Sequence, residues 1–504
     1  MKKIVLFPAR QPAEKVLRTI GTFTHIKITG VLQKSRERAP DWNQEKTGLP
    51  TWTLDEISST YISHDLKPDL EMYDQCLENI LCDPRSFYLA DRKYGINNGN
   101  NSFKNTVHVE AAVWNSLSIF KSTSTDWVIM HNTPHELSSW IFSRVAEILN
   151  LPVYFFKSSP LVWRSWIVKG PDEQQIIRPY SDTQNKIYRN NEAGHIISHT
   201  TAKFIESKKR FCECDGARNQ LINIGLSESH AKIDRYHVFK HQDLKISFKK
   251  MIIAAKKIFL SGYFRNKSLF KKYQEKTKSF QMPERFGSFL IQYQPERSSL
   301  PEGYLFSQQL LAIRKLSENL PEGIRLVVKE HPHMKSSLNL TSNQSGVRSD
   351  SFYEAIASMH NVDLAPIETD SIQLIEKGLF VSTLTGKIGI EAILRNKPVL
   401  AFGAASYRNN ALVYNVSKSI EIQNAISEII GLSGSINNNI EEYFAWVESL
   451  TIERKGCGLE RVINGGGTSF SNDTEHYIEL LGNLLSNTSE PQGISPMIIG
   501  KTKM

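Results

Sequence analysis

The chain has few cysteines, no long apolar run and none of the common nucleotide-binding signatures, and each shortage excludes a class of protein. Its five cysteines (Cys76, Cys82, Cys212, Cys214 and Cys457) are scattered over 504 residues. Such spacing offers no disulfide framework and fits a reducing cytosol. Cys212-Glu-Cys214 is too short for a metal motif and no His/Cys cluster follows it, so ordinary thiols and no metal are expected. No stretch approaches the roughly 18 apolar residues of a spanning helix. The opening MKKIVLFPAR holds two lysines and a short apolar run that ends at Pro8. It lacks the longer apolar core and cleavage site of a secretory signal, and reads as a first core strand of a cytoplasmic protein. A Walker GxxxxGK[ST] is absent, and so is GxGxxG at a first strand. NAD or FAD use is therefore not expected, and no cofactor is assigned.

The balance of charge is also one-sided. Net charge is +9, which favours anionic partners. Between Lys240 and Lys278 the basic residues Lys245, Lys249, Lys250, Lys256, Lys257, Arg265, Lys267, Lys271, Lys272 and Lys276 face only Asp243 and Glu275. Apolar residues such as Phe248, Ile252, Phe259 and Phe264 interleave with them. The segment reads first as an amphipathic helix with a solvated basic face, joining two domains. The second reading is peripheral contact with the anionic inner face of the cytoplasmic membrane. No nucleic-acid recognition module is visible, so nucleic acid is not an expected partner.

What is abundant is alternation. Strand patterns at Lys3–Phe7, His25–Leu32, Trp127–Met130 and Pro152–Phe156 alternate with helical ones at Ala13–Ile20, Asn105–Lys121 and Glu136–Leu149. A second series starts near Phe286, with strands at Gly287–Tyr293, Arg325–Lys329, Val362–Leu364, Leu379–Ser382 and Val399–Phe402. Its expected helices are Tyr304–Leu320, Asp350–Met359, Asp370–Glu376 and Ile388–Arg395. Such alternation predicts an α/β fold: two Rossmann-like lobes with a central cleft. The division expected is a first lobe over 1–239, a basic linker over 240–285 and a second lobe over 286–432. C-terminal helices over 433–486 and a disordered tail over 487–504 complete it. Region 33–104 reads as excursions from the core, and 170–239 as polar and mostly helical.

In open parallel sheets ligands bind beyond the carboxyl ends of strands. Three loops of the second lobe lie at such ends. Gln294-Pro-Glu296-Arg-Ser-Ser299 ends the first strand, and Gln294, Glu296 and Ser299 can meet phosphate or base there. Alone, the same loop is an ordinary strand-to-helix turn. Lys329-Glu330-His331-Pro332-His333 ends the next strand. A histidine at a strand exit can donate to a phosphate, with Lys329 adding charge and Pro332 rigidity. The plainer reading is a histidine that satisfies loop backbone. In Ser382-Thr-Leu-Thr-Gly386-Lys-Ile-Gly389, Thr383, Thr385, Gly386 and Gly389 offer hydroxyls and close backbone approach at a helix start, an anion site. Glu391, one turn inside that helix, can bond a ribose hydroxyl or pair with Lys387 on the surface.

Together QYQPERSSLPEG, VVKEHPHM and STLTGKIGIEAILRNKPVLAFGAASY resemble the bacterial capsule polysaccharide synthesis proteins. Those are relatives of the Kdo transferases of capsule export systems and resemble the wider GT-B glycosyltransferases. The resemblance covers about 286–408 and, less closely, 126–160. The His-Pro pair is similar to that of bacterial sialyltransferases, where it contacts a CMP-activated donor; here the role falls to His331 and Pro332. The acidic motif from which those enzymes take their base is not evident, Cys214-Asp-Gly216 and Pro301-Glu-Gly303 being poor versions. The resemblance implies glycosyl transfer from a nucleotide sugar, held by the second lobe, to a surface polysaccharide or lipid-linked glycan held by the first. An acceptor hydroxyl needs a base, and His135 and Glu136 at the exit of Trp127–Met130 face the expected cleft. Glu136 reads equally as a first-turn helix residue stabilised by the dipole. Other occupants of this layout stay open: a sugar-nucleotide epimerase, a CDP-polyol phosphotransferase, or a non-catalytic accessory of polysaccharide export.

Overall fold

A computed structural model of the chain describes residues 1–8, 11–35, 40–59, 67–98, 102–172, 174–178, 197–210, 268–294, 296–332, 348–431, 440–453, 473–486 and 493–494. The Cys212–Cys214 pair, Cys214-Asp-Gly216, most of the basic linker (240–267), His333 and most of the tail lie outside these residues. Among the described residues no helix is long and apolar enough to cross a membrane.

Short runs of Val, Ile, Leu and Phe form strands buried on both faces, the mark of parallel sheets covered by helices. In the first lobe these are Lys2–Phe7 (β1), Ile26–Gln33 (β2), Thr51–Thr53 (β3), Trp127–Met130 (β4), Val153–Ser158 (β5), Arg164–Lys169 (β6) and Gln175–Ile177 (β7). In the second they are Phe286–Leu290 (β8), Arg325–Lys329 (β9), Val362–Ala365 (β10), Val381–Thr383 (β11), Val399–Ala401 (β12) and Val413–Asn415 (β13). Ile452–Glu453 (β14) and Gly493–Ile494 (β15) follow. The second sheet runs β10-β9-β8-β11-β12-β13 and every pairing in it is parallel. The first runs β15-β7-β6-β5-β4-β1-β2-β3, parallel from β5 to β3 and antiparallel toward β15, with β14 also on β6.

Each order reverses direction once, between β1 and β4 in the first sheet and between β8 and β11 in the second. At such a reversal the two outgoing loops part and leave a crevice. One apolar core runs through both lobes and includes Phe142 and Val145 of the first, Val399 and Tyr407 of the second, and Tyr443, Phe444 and Trp446.

Four expectations change. Region 33–104 is not an excursion: its helices Leu54–Ser59, Leu70–Leu81 and Pro84–Asn98 bury Leu54, Ile57, Ile80 and Leu89 in the common core. The helix expected over Tyr304–Leu320 splits into a 3-10 turn, Tyr304–Ser307, and a helix, Gln309–Ser317, because Gln308 is extended between them. The C-terminal helices form no separate unit. Thr474–Leu485 lays Tyr477, Leu480, Leu481 and Leu484 against Ile4, Trp127 and Tyr154 of the first sheet. Nor is the tail wholly irregular, since Gly493 and Ile494 pair with β7.

Candidate functional site

The three strand-end loops of the second lobe are tied together by side chains. Gln292, just past β8, donates from Nε2 to Ser298 Oγ (2.6 Å), and its Oε1 accepts the backbone N–H of Thr385 (3.1 Å). The Thr385 hydroxyl donates to the Ser298 carbonyl (2.6 Å). Glu296 is exposed, while Ser299 is buried and closes the turn by donating to the Glu296 carbonyl (2.9 Å). Gln294 points inward. It donates to the Ser307 carbonyl (2.6 Å) and accepts from Gln309 (2.8 Å) and Arg348 (2.9 Å).

Past β9, Glu330 is buried and its carboxylate accepts from Arg348 Nε (2.7 Å), Tyr353 Oη (2.7 Å) and the N–H of His331 (2.7 Å). Burial alone would raise its pKa, but the Arg348 guanidinium holds the carboxyl below the usual range. His331 is half-buried with its ring 5.8 Å from that of Tyr293, and Pro332 follows it. Lys329 turns the other way, donating to Ser371 Oγ (3.1 Å), and burial pushes its ammonium down to about 8.

Past β11, Thr383 is fully buried. The Gly386 carbonyl accepts from Tyr407 Oη (2.6 Å). Gly389 is a glycine because of that tyrosine: a Cβ there would lie 2.3 Å from the ring. The helix that follows, Ile388–Ile393, has six residues and stops short of Arg395. Glu391 lies in it, half-exposed, its carbonyl accepting from Arg395 (2.6 Å). The structure thus brings Ser298, Thr385 and the Tyr293–His331 pair to one edge. Gln294, Ser299, Lys329, Thr383 and Gly389 lie beneath that edge as its support.

The first lobe supplies the facing wall. The backbone N–H of His131 donates to the Phe7 carbonyl (3.0 Å), and its ring stands edge-on to Phe7. His135 Nδ1 lies 2.9 Å from the Thr133 carbonyl. A carbonyl only accepts, so Nδ1 carries the proton and Nε2 presents a lone pair. Burial, with Arg297 and Arg92 nearby, pushes this imidazole down to about 4, so it is neutral at pH 7. Glu136 is the N-cap of the helix Leu137–Ile148 and pairs with Lys34. Its burial favours protonation, but the Lys34 charge outweighs this and keeps the carboxyl low.

Between the walls sit residues that sequence reasoning missed. Glu302, 3% exposed, reaches from the second lobe into the first and accepts from Thr133 Oγ1 (3.0 Å). Lys157 Nζ is 3.5 Å from it and Arg297 Nε 3.7 Å. Lys157 also donates to Gln174 (2.6 Å) and to the Ala404 carbonyl (2.7 Å), and burial brings its ammonium down to about 8. Arg92 donates to the Leu300 carbonyl (3.2 Å), and Arg408 to that of Gln174 (2.7 Å). Lys34, Arg92, Arg297, Lys157 and Arg408 therefore gather against Glu136 and Glu302. The only signal for Glu302 in the sequence was Pro301-Glu-Gly303. Gly303 is required there because a Cβ would stand 2.4 Å from the Ser299 carbonyl.

Residues 306–427 match the family model described as capsule polysaccharide biosynthesis protein. The matched segment lies wholly within the second lobe. It carries β9 to β13, and with them His331, Arg348, Thr385 and Glu391. The rest of the site, from Gln292 to Glu302 and the whole first-lobe wall, lies outside the capsule segment. No curated protein matches the chain. Among solved structures it is similar to the S. aureus MnaA–UDP co-structure, at 12% identity over 98% of this chain and 100% of that one, with a TM-score of 0.25. It is also similar to the β-Kdo 2,7 transferase of Thermosulfurimonas dismutans KpsC (10% identity, 75% and 96% covered, TM-score 0.27). The β-Kdo 2,4 transferase of the same KpsC gives 14% identity, 60% and 79% covered, and a TM-score of 0.26.

Proposed function

We propose that the protein is a glycosyltransferase of capsule or O-antigen assembly, moving a sugar from a nucleotide-activated donor to a surface polysaccharide or lipid-linked glycan. The observation that carries this reading is the cationic band set between the two sheet reversals, the second of which has one flank, β11, within the matched segment 306–427. A nucleotide phosphate leaving a sugar gathers negative charge, and charges fixed in a partly dry crevice stabilise it without reorganising. In this reading Arg297 and Arg92 supply such charge and His331 a hydrogen-bond donor, with Thr385 as a brace. Glu391 is assigned to the ribose, and a CMP-linked donor suits the His331-Pro332 pair.

The acceptor hydroxyl gives its proton to His135 Nε2 as its oxygen bonds the anomeric carbon. The bond from that carbon to the phosphate oxygen breaks, and its electron pair stays on the phosphate. An imidazole that burial, with Arg297 and Arg92 nearby, holds near 4 is a weak base. A donor phosphate on Arg297 offsets that charge and raises its basicity, so the base is armed when the donor is bound. Glu136, held by Lys34, orients this end of the helix.

Calorimetry of the full chain against CMP, CDP, UDP and GDP is expected to show binding of one of them. His331→Ala and Glu391→Ala should each weaken it, and His135→Gln should lower turnover by about 10²–10⁴-fold with nucleotide affinity unchanged. Binding of none of the four would remove the nucleotide reading. Unchanged affinity in both His331→Ala and Glu391→Ala would move the donor site elsewhere.

A further inference from the structure

The loop from Ser298 to Tyr304 is bound along both sides, and the two sides belong to different lobes. Toward the first lobe, Glu302 takes the Thr133 hydroxyl (3.0 Å) and faces Lys157 (3.5 Å). The Leu300 carbonyl takes Arg92 (3.2 Å), and Tyr304 Oη donates to the Asp172 carbonyl (2.5 Å). Toward the second lobe, the Ser298 carbonyl takes the Thr385 hydroxyl (2.6 Å), and Ser298 Oγ takes Gln292 Nε2 (2.6 Å). Gln292 in turn holds the Thr385 N–H.

A second path runs beside the first. The Glu302 carbonyl accepts the N–H of Ala404 (2.8 Å), whose own carbonyl is held by Lys157 (2.7 Å). Lys157 belongs to β5 of the first sheet, and Ala404 follows β12 of the second. Glu302 therefore meets the first lobe through its side chain and the second through its backbone. Its carboxylate is buried, and leaving any partner unmatched in such a place is costly. The contact therefore favours a single placement of Ser298. Three residues lie between Ser298 and Glu302, and in that span Ser299 and Leu300 both donate backbone N–H to the Glu296 carbonyl (3.0 and 2.9 Å). Movement of Glu302 has little slack to be absorbed before it reaches Ser298.

We propose that Glu302 is a positioning residue: its anchor in the first lobe fixes Ser298, and through Ser298 and Gln292 it sets the Thr385–Gly389 loop. Docking of the lobes and ordering of that loop are then one coupled event, with reciprocal effects of each on the other. The consequence for the reaction rests on the reading of that loop as the donor site; the coupling itself does not. The competing account is an interface contact that holds the lobes together and leaves the Thr385 loop indifferent.

Amide hydrogen exchange of the ligand-free full chain separates the two. Glu302→Gln is expected to speed exchange in 383–389 by about tenfold, within the usual range for linked sites, while 324–329 in β9 stays unchanged. Thr133→Val, which deletes one hydrogen bond and keeps the shape, should give a smaller acceleration in the same peptide, and Thr133→Ser should restore the wild-type rate. Acceleration confined to 298–304, with 383–389 unmoved, would overturn the proposal. If Glu302→Gln does not fold, the threonine pair carries the same test. Nucleotide titration, with CMP and UDP as probes, adds a second readout. Weaker binding in Glu302→Gln supports the coupling and its reach to the donor; equal binding in wild type and variant, with the exchange effect present, removes the donor reading of the loop and leaves the coupling standing. Absence of binding to the wild type, with the exchange effect present, leaves the coupling standing and removes only the donor reading.

Discussion

Arg348, not singled out from the sequence, is buried at the centre of a network in the second lobe. Its guanidinium meets Glu330 (2.7 Å), Gln294 Oε1 (2.9 Å) and the Gln292 carbonyl (3.2 Å), and it stacks over Phe352 at 4.7 Å. It thus joins the loop after β8 to the loop after β9. Both charges are buried, and a buried pair that loses one member leaves the other uncompensated. Arg348→Met should therefore lower unfolding stability by about 3–5 kcal/mol in urea titration. Adding Glu330→Gln should recover part of the loss, because the stranded carboxylate is then gone. Failure of that second change to recover anything would mean the arginine acts by packing on Phe352 alone. Nothing in the sequence joins positions 330 and 348. The pairing comes from the fold, which explains why Gln294 was legible as a loop residue and not as an inward one.

Among elements, those decided by local pattern were legible. β4 and β9 begin and end where their apolar runs predict, since a run buried on both faces has no other comfortable conformation. Elements decided by distant partners were not. Gln308 breaks the expected helix where its neighbour Gln309 joins a buried network with Gln292 and Gln294. The helix Thr474–Leu485 shows an amphipathic face in the sequence, but not that the face lies on β1 and β4. That placement has a measurable consequence. Leu480→Ala or Leu484→Ala should each cost about 2–5 kcal/mol, and the lost hydrogen-exchange protection should appear in β1 and β4 rather than in the second sheet. Protection lost only within 474–485 would show that the helix is an appendage. Gly389→Ala tests the second lobe. The Tyr407 ring leaves no room, so a loss of about 1–3 kcal/mol is expected from overpacking.

At the scale of the whole molecule the interlobe band sets the response to pH, and the sign follows from which state takes up protons. Burial pushes His131 down to about 3 and His135 to about 4, both below the ordinary histidine range. As pH falls from about 6.5 the unfolded chain binds protons that the folded chain refuses, so stability is lost across that window. At about 1.4 kcal/mol per unit the cost of His135 alone is on the order of 3 kcal/mol by pH 4. Glu147 acts in the opposite sense. Burial raises it to about 7, so its folded state holds a proton that the unfolded state gives up, and its contribution fades as pH rises through that value. Two histidines outweigh one carboxylate, and Glu302, Glu330 and Asp172, all held low, add further loss below about pH 4.5. On the alkaline side Lys157 and Lys329, both near 8, keep fewer protons folded than unfolded, so their penalty is relieved between about pH 8 and 10. The melting temperature should therefore fall steadily from pH 6.5 to 4 and hold or rise slightly from pH 8 to 10. His131→Phe keeps a ring against Phe7 and removes the larger of the two histidine shifts. Its melting temperature should drop less than that of the wild type between pH 6.5 and 4, as scanning calorimetry at half-unit steps would show. An acid limb of unchanged slope would show that His131 is not among the groups that set the loss, and would leave it to His135 and the buried carboxylates.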